Sequence, residues 1–492
     1  MAMMHKWFVY PRLERAAHWL WGLVLLTLPV TTFRYVPGPL GRTLISPLAI
    51  YPLALLVIIM ATIFLQKKCL PLPANFKPLL AFLLFALAAS FFGLVNEPLT
   101  LRGASFEERV LRGWFSLLVG LLFFFSAFWM NRDEQDLRRS LKWIYAGLAL
   151  TLLWSLVQAI AINTSAIPRA FVNQIQLFFS TRPIPNRRII GFAYEPAWLA
   201  DQIVILYLPW LFAAIIARRP LTDRKWLEPA LFLISVVILV FTYSRGGLFS
   251  ALLCVTLVTL LTGRTSLQHI FQWFASPFRQ KTRAGRKDLA LFSRLAIIGS
   301  LFLGLQLAVN FLSRYQYFAS IWTLGDEQRP LDYVVDISAG PRLAYALAGY
   351  KIYESAPLTG VGIGTSGLSL LKHYPEWSLA IPEISRQLTP DSNLIPNIKS
   401  FYVRLLAEMG LPGFWLFIVF LLSFLAKIRR MFVSPQPYLR FVAIAGFFGW
   451  LGLVLRNLTQ DSFTFPIMWV ILGLIAGLYP YHPKEFHFGK FT

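Results

Sequence analysis

The chain has 492 residues, of which 57% are hydrophobic and 14% charged, with a mean hydropathy of +0.60. A water-soluble domain of this length is not that apolar, so the composition excludes a soluble enzyme and makes a bilayer the simplest solvent. The net charge of +23 would suit a nucleic-acid binder only if Lys and Arg gathered on one face or tail; here they cap apolar runs, and no nucleic-acid partner is expected.

The apolar runs are about 18 to 23 residues long, the length a helix needs to cross roughly 30 Å of hydrocarbon, and a barrel's alternation is absent. They predict an all-α polytopic membrane protein, one integral membrane domain over 1–492, with about twelve transmembrane helices. The expected spans are 16–36, 43–65, 78–95, 111–130, 141–162, 197–217, 227–243, 246–262, 290–312, 410–427, 440–457 and 464–481. Met1 to Arg15 leads straight into the first of these without a small-residue cleavage site, so this span is expected to stay as an anchor. An even number of crossings puts both termini on one side. Placing them in the cytoplasm leaves Lys and Arg in excess inside and Asp and Glu in excess outside, as the positive-inside rule requires. The basic segment 263–289, with Arg279, Lys281, Arg283, Arg286 and Lys287, then becomes a cytoplasmic loop beside anionic headgroups, or a site for a regulatory partner.

Two outer connections are long enough to have a job. One is 163–196, rich in Arg, Asn and Pro; the other is 313–409. Within the second, the run from Pro341 to Tyr350 predicts a short helix, with Pro in its first turn and Ser355-Ala356-Pro357 after it. Gly360-Val361-Gly362-Ile363-Gly364 follows as a tight turn, because no βαβ pattern surrounds it. No Walker A sequence and no acidic pair for a metal-bound sugar nucleotide is present, so neither a cofactor nor a metal is expected. Cys69 and Cys254 lie at or within apolar runs and read as packing residues.

Arginine placement carries more. Arg245, in Tyr243-Ser244-Arg245-Gly246-Gly247, falls between two spans with almost no loop, at the outer mouth of the membrane. A permanent charge there either snorkels to headgroups or meets something anionic, and a guanidinium's planar fork suits phosphate oxygens. Arg187, Arg188, Arg342, Lys399 and Arg404 add cations on the same side. Several cations meeting in one cavity would select a multiply charged anion such as a diphosphate. Glu195, at the start of the sixth span, either takes a proton as a general base or caps the helix N-terminus. Glu408 either acts on substrate or pairs with a neighbouring Arg. His373 reads as a polar loop residue. The loop aromatics Tyr315, Tyr317, Trp322, Tyr333, Tyr345, Tyr350, Tyr353, Tyr374 and Trp377 form sugar platforms or the ordinary interfacial belt.

Taken in order, these segments resemble the O-antigen ligase and polymerase superfamily of bacterial envelope proteins over roughly residues 185–430. The likeness rests on Arg188-Ile189-Ile190-Gly191-Phe192-Ala193-Tyr194-Glu195-Pro196, on Tyr243-Ser244-Arg245-Gly246-Gly247, and on Arg342 followed by Ala356-Pro357-Leu358-Thr359-Gly360-Val361-Gly362-Ile363-Gly364. Leu406-Ala407-Glu408-Met409-Gly410-Leu411-Pro412-Gly413 closes the set. The resemblance implies a GT-C-like helical fold and a metal-independent, inverting glycosyl transfer from undecaprenyl diphosphate at the periplasmic face of the inner membrane. Catalysis would fall to Arg245, Arg342 and Glu195, with Arg187, Arg188, Tyr194, Tyr243, Lys399, Tyr402, Arg404 and Glu408 binding substrate. In the ligases a His-Asn pair stands nine and eight residues before the last Glu; here Lys399-Ser400 stands there. A lysine is normally protonated near neutrality, so it can hold phosphate but serves poorly as a base. The expected activity is therefore polymerisation of lipid-linked O-antigen or exopolysaccharide repeats, with ligation to lipid A core, or transport of the lipid-linked glycan, as alternatives. Expected partners are the undecaprenyl-diphosphate-linked oligosaccharide, membrane lipids and, for a polymerase, a chain-length regulator.

Overall fold

A computed structural model describes residues 11–36, 45–67, 71–95, 99–164, 166–222, 224–262, 339–389 and 394–478, with single positions 295, 299 and 392. Among these residues the protein is all-α, with isolated bridges at Thr32–Ser46 and Leu101–Ala104 as its only β pairing. The basic segment 263–289, the span 290–312 apart from positions 295 and 299, Cys69 and the aromatics Tyr315, Tyr317, Trp322 and Tyr333 lie outside the described residues.

The helices are α1 (Pro11–Thr27), α2 (Ile50–Lys67), α3 (Phe76–Val95), α4 (Phe106–Met130), α5 (Glu134–Asn163), α6 (Arg169–Phe179), α7 (Pro196–Ile216), α8 (Leu227–Phe241), α9 (Arg245–Thr262), α10 (Gly340–Ser355), α11 (Phe401–Val433), α12 (Pro437–Arg456) and α13 (Pro466–Gly477). Seven of them are long and apolar enough to cross a bilayer: α3, α4, α5, α7, α9, α11 and α12. Three shorter apolar helices, α2, α8 and α13, fall on further expected spans. The outward faces of α2, α3 and α8 carry exposed Leu55, Ile58, Leu84, Leu87, Phe91 and Leu233, an apolar surface that water would not tolerate and lipid would.

Several boundaries move. The first helix runs Pro11–Thr27 rather than 16–36, because Thr31 and Phe33 pair with Ser46 through their backbones instead of continuing the helix. The loop 163–196 contains α6, whose Val172 and Gln176 are buried. The span expected at 410–427 is the second half of α11: Gly410, at φ 60° and ψ −171°, breaks the helix, and Pro412 follows it. The helix expected at 341–350 is α10.

Local chemistry starts the spans where they start. Ser105 caps α4 by accepting from the Glu108 amide at 3.2 Å, with Glu107 and Glu108 in the first turn against the positive end of the helix dipole. Asp133 caps α5 in the same way, accepting from the Asp136 amide at 2.8 Å. The core between α4, α11 and α13 is aromatic. Phe124, Phe417, Phe420, Phe424 and Trp469 are all buried and meet edge to face or tilted, with the Phe124 and Phe420 centroids 6.1 Å apart. A second, smaller core lies in the connection between α10 and α11, formed by Ala344, Tyr345, Ile352, Leu370, Tyr374, Ile384 and Ile398.

Candidate functional site

A cavity of 520 Å³ opens where α4, α7 and α10 begin, where α11 enters and where α12 ends. Five cationic side chains line it, Arg109, Arg112, Arg342, Lys399 and Arg404, together with three carboxylates, Glu195, Glu383 and Asp461. Pro341, Tyr345, Trp198, Asn397, Gln460 and Ser462 fill in the wall.

Each cation is placed by its own piece of backbone. Arg109 and Arg112 stand three residues apart on the first turns of α4, hence on one face of that helix. Arg109 donates from Nε to the Gly364 carbonyl at 3.0 Å, and Arg112 pairs with Glu108. Arg404, on the first turn of α11, donates from Nε to Glu408 at 3.0 Å and from Nη1 to the Asp461 carbonyl, and lies over the Phe463 ring at 5.0 Å. Lys399 sits at φ 61°, a backbone conformation rare for a residue with a side chain, and its amide donates to Asp461 Oδ2 at 3.1 Å. That hydrogen bond fixes the turn into α11. Arg342 is exposed on the first turn of α10 and acts electrostatically on the buried Asp201. The side chains of Arg342 and Lys399 make no hydrogen bond or ion pair among the described residues, so both remain available to a ligand.

Glycine explains how α10, the following strap and α11 fit together. Gly360, Gly362 and Gly364 have φ of 67°, 97° and 81°, and a Cβ on Gly360 would collide with the backbone of Glu408 and Met409. The strap pairs with the kink in α11 through Val361 N to Ala407 O at 3.0 Å and Gly362 N to Glu408 O at 2.9 Å. The two family-like segments are thus each other's structural partner. Buried Glu408 accepts from Arg404 and from Ser366 Oγ at 2.8 Å, which is the pairing role weighed for it from sequence.

Glu195 lines the cavity at the N-cap position of α7, where its side chain makes no capping bond. It pairs instead with Arg182 at 3.2 Å, whose guanidinium lies 5.1 Å from the Tyr194 ring. The turn before it is held by Gln158 of α5, which accepts from the Ile190 and Gly191 amides at 3.1 and 2.9 Å.

The remaining expected residues stand back from this wall. Arg188 donates to the Thr242 and Tyr243 carbonyls at 2.9 and 3.3 Å, securing the break at Tyr243, which has φ 50°. Arg245 is the first residue of α9 and is not among the lining residues. Beside it, Gly246 leaves room for the guanidinium of Arg456, which forms a buried ion pair with Asp201, and Gln460 donates to the other oxygen of that carboxylate. Arg187 is exposed, Tyr194 packs by Trp198 at 5.5 Å, and Tyr402 donates to the Val454 carbonyl at 2.9 Å; none of the three lines the cavity, nor does Tyr243. His373 bonds the Ser369 carbonyl, a loop role. Sequence reasoning missed Arg109, Arg112, Glu383 and Asp461. For the first two a signal was there, a pair of arginines at i and i+3 heading an apolar run; the acids carried none.

What the fold and cavity define is an all-α polytopic membrane protein with a cation-rich hollow at one end of its bundle. Residues 230–418, less than half of the chain, match the family model described as O-antigen ligase. That match supports the O-antigen ligase/polymerase superfamily and points to glycosyl transfer in envelope glycan assembly, without separating its branches. Arg245, Arg342, the glycine strap and Glu408 fall inside the matched stretch, whereas Glu195 precedes it. A search of the curated proteins returned no match.

Proposed function

We propose that the protein polymerises oligosaccharide repeats carried on undecaprenyl diphosphate, at the periplasmic face of the bacterial inner membrane. The observation that carries this reading is the pair of cations Arg342 and Lys399, which form no hydrogen bond or ion pair among the described residues and face a cavity that three further cations line. A hydroxyl of the incoming lipid-linked repeat attacks the anomeric carbon of the growing chain, the bond to the lipid diphosphate breaks, and the diphosphate leaves with the bonding electrons. Configuration inverts at that carbon. Glu195 takes the hydroxyl proton, with Arg182 orienting the carboxylate. Arg342 and Lys399 grip the leaving group, whose charge grows in the transition state, while Arg245 adds positive potential from behind the wall. Lys399 where the ligases carry a histidine favours this branch, because an ammonium can hold a phosphate without serving as a base.

Purified protein in lipid vesicles, given only a defined lipid-linked repeat, should lengthen it without nucleotide, and mass spectrometry of the products reads the ladder. Arg342→Ala with Lys399→Ala should stop at one repeat. Glycan that crosses the bilayer with no new glycosidic bond, or that in a parallel reaction with lipid A core added joins only that acceptor, would overturn the reading.

A further inference from the structure

The cavity is also lined by polar side chains that the leaving group does not need. Glu383, on the short helix Pro382–Leu388, lines the cavity and forms no ion pair with any of its five cations among the described residues. Its Oε1 accepts from the Tyr345 hydroxyl at 2.9 Å, and that hydroxyl in turn accepts from Gln387 Nε2 at 2.6 Å. Gln387 Oε1 accepts from the Tyr374 hydroxyl at 3.0 Å, so the chain Tyr374–Gln387–Tyr345–Glu383 runs in one direction and ends on the carboxylate. Burial and the facing Glu383 push Tyr345 up from its ordinary range, so it keeps the proton it donates. Asn397 lines the same cavity, and its side-chain amide is spent on no described residue.

A carboxylate that forms no ion pair with the described cations repels a diphosphate, and together with an amide that no described residue engages it matches neutral hydroxyls that donate and accept in turn. We infer that Glu383 and Asn397, with Tyr345 holding the carboxylate, form a subsite for a neutral sugar ring of the glycan in the same cavity as the cations. The inference rests on the glycosyl-transfer reading for its substrate class. It makes Tyr345 a positioning residue and gives the lining of the cavity two tasks, cations for phosphate and neutral or acidic acceptors for sugar.

The test uses the full chain in lipid nanodiscs and two probes. One is inorganic pyrophosphate; the other is the oligosaccharide freed from the host's own lipid-linked repeat by mild acid, carrying neither lipid nor phosphate. Glu383→Gln keeps an oxygen for Tyr345 but loses the charge, and should weaken the oligosaccharide about tenfold while leaving pyrophosphate within about twofold. Asn397→Ala should act in the same direction, and Arg342→Ala in the opposite one. The unchanged probe reports in each case that the variant has folded. Oligosaccharide binding unaffected by Glu383→Gln and Asn397→Ala, equal losses for both probes, or no oligosaccharide binding by the parent protein at millimolar concentration would each overturn the subsite. If both probes behave as expected and the reconstituted protein makes no polymer, the subsite stands and the polymerase reading falls.

Discussion

The membrane bundle and the cap between α10 and α11 treat charge in opposite ways. Inside the bundle the buried charges are spent. Asp201 takes Arg456 and Gln460, Glu228 accepts from the Leu221 and Thr222 amides at 2.8 and 3.0 Å, and Lys427 donates to the Ala476 carbonyl at 3.2 Å. The cap and its junction with the bundle leave the side chains of Arg342, Lys399 and Asn397 without a partner among the described residues on the cavity wall. Hydrocarbon supplies no water to satisfy a polar group, so within it every charge must find a protein partner. Where the bundle meets water, solvent can satisfy such groups instead, and the proposed chemistry uses the groups at that seam.

Breaking the spent side should have the largest effect. Asp201→Ala strands the Arg456 guanidinium among apolar neighbours and should cost about 3–5 kcal/mol, seen as a large drop in the melting temperature of the purified protein; Asp201→Ala with Arg456→Met should restore most of it. A melting temperature unmoved by Asp201→Ala would mean that the bundle does not depend on internal pairing. On the open side, Arg342→Ala should lower polymer formation about 100-fold or more and leave the melting temperature alone. Loss of stability in place of activity would make Arg342 a part of the scaffold and erase the contrast.

The seam itself is probed by Gly360→Ala. A side chain at φ 67° is strained and would push the strap off α11, so stability should fall by about 1–3 kcal/mol; activity should fall with it, since Arg109 hangs on the Gly364 carbonyl. Smallest of all is Arg182→Ala. Its ion pair with Glu195 is 40% exposed on each side, so stability should change by less than about 1 kcal/mol. Turnover, read as kcat against KM in the reconstituted assay, should drop through kcat as the carboxylate loses its orientation. Equal activity of this variant and the parent would remove Glu195 as the proton acceptor.

Residue by residue, the sequence was legible where a local rule acted. Apolar runs of membrane length located the helices that cross, and proline at the first turn located α10. It was blind where a distant partner decided. Nothing near Thr31 or Phe33 announces that they will pair with Ser46 and end α1 early, and nothing near Gly360 names the backbone of Glu408 as the surface it must approach. Arg188 and Arg342 looked alike as outer arginines, yet one is consumed by the Thr242 and Tyr243 carbonyls and the other faces the cavity. Arg245, singled out by its motif, is not among the lining residues, and its neighbour Gly246 lies against an ion pair whose two halves are 255 residues apart.

By itself, the sequence determined that this chain lives in a membrane, that it is helical, and that its cations gather near the ends of spans, because hydropathy and helix punctuation act over a few turns. Only the tertiary structure decided which cations meet in one hollow, which are already taken, and which acids share the wall. Those outcomes depend on packing between segments hundreds of residues apart, where a single hydrogen bond to a carbonyl separates a binding group from a brace.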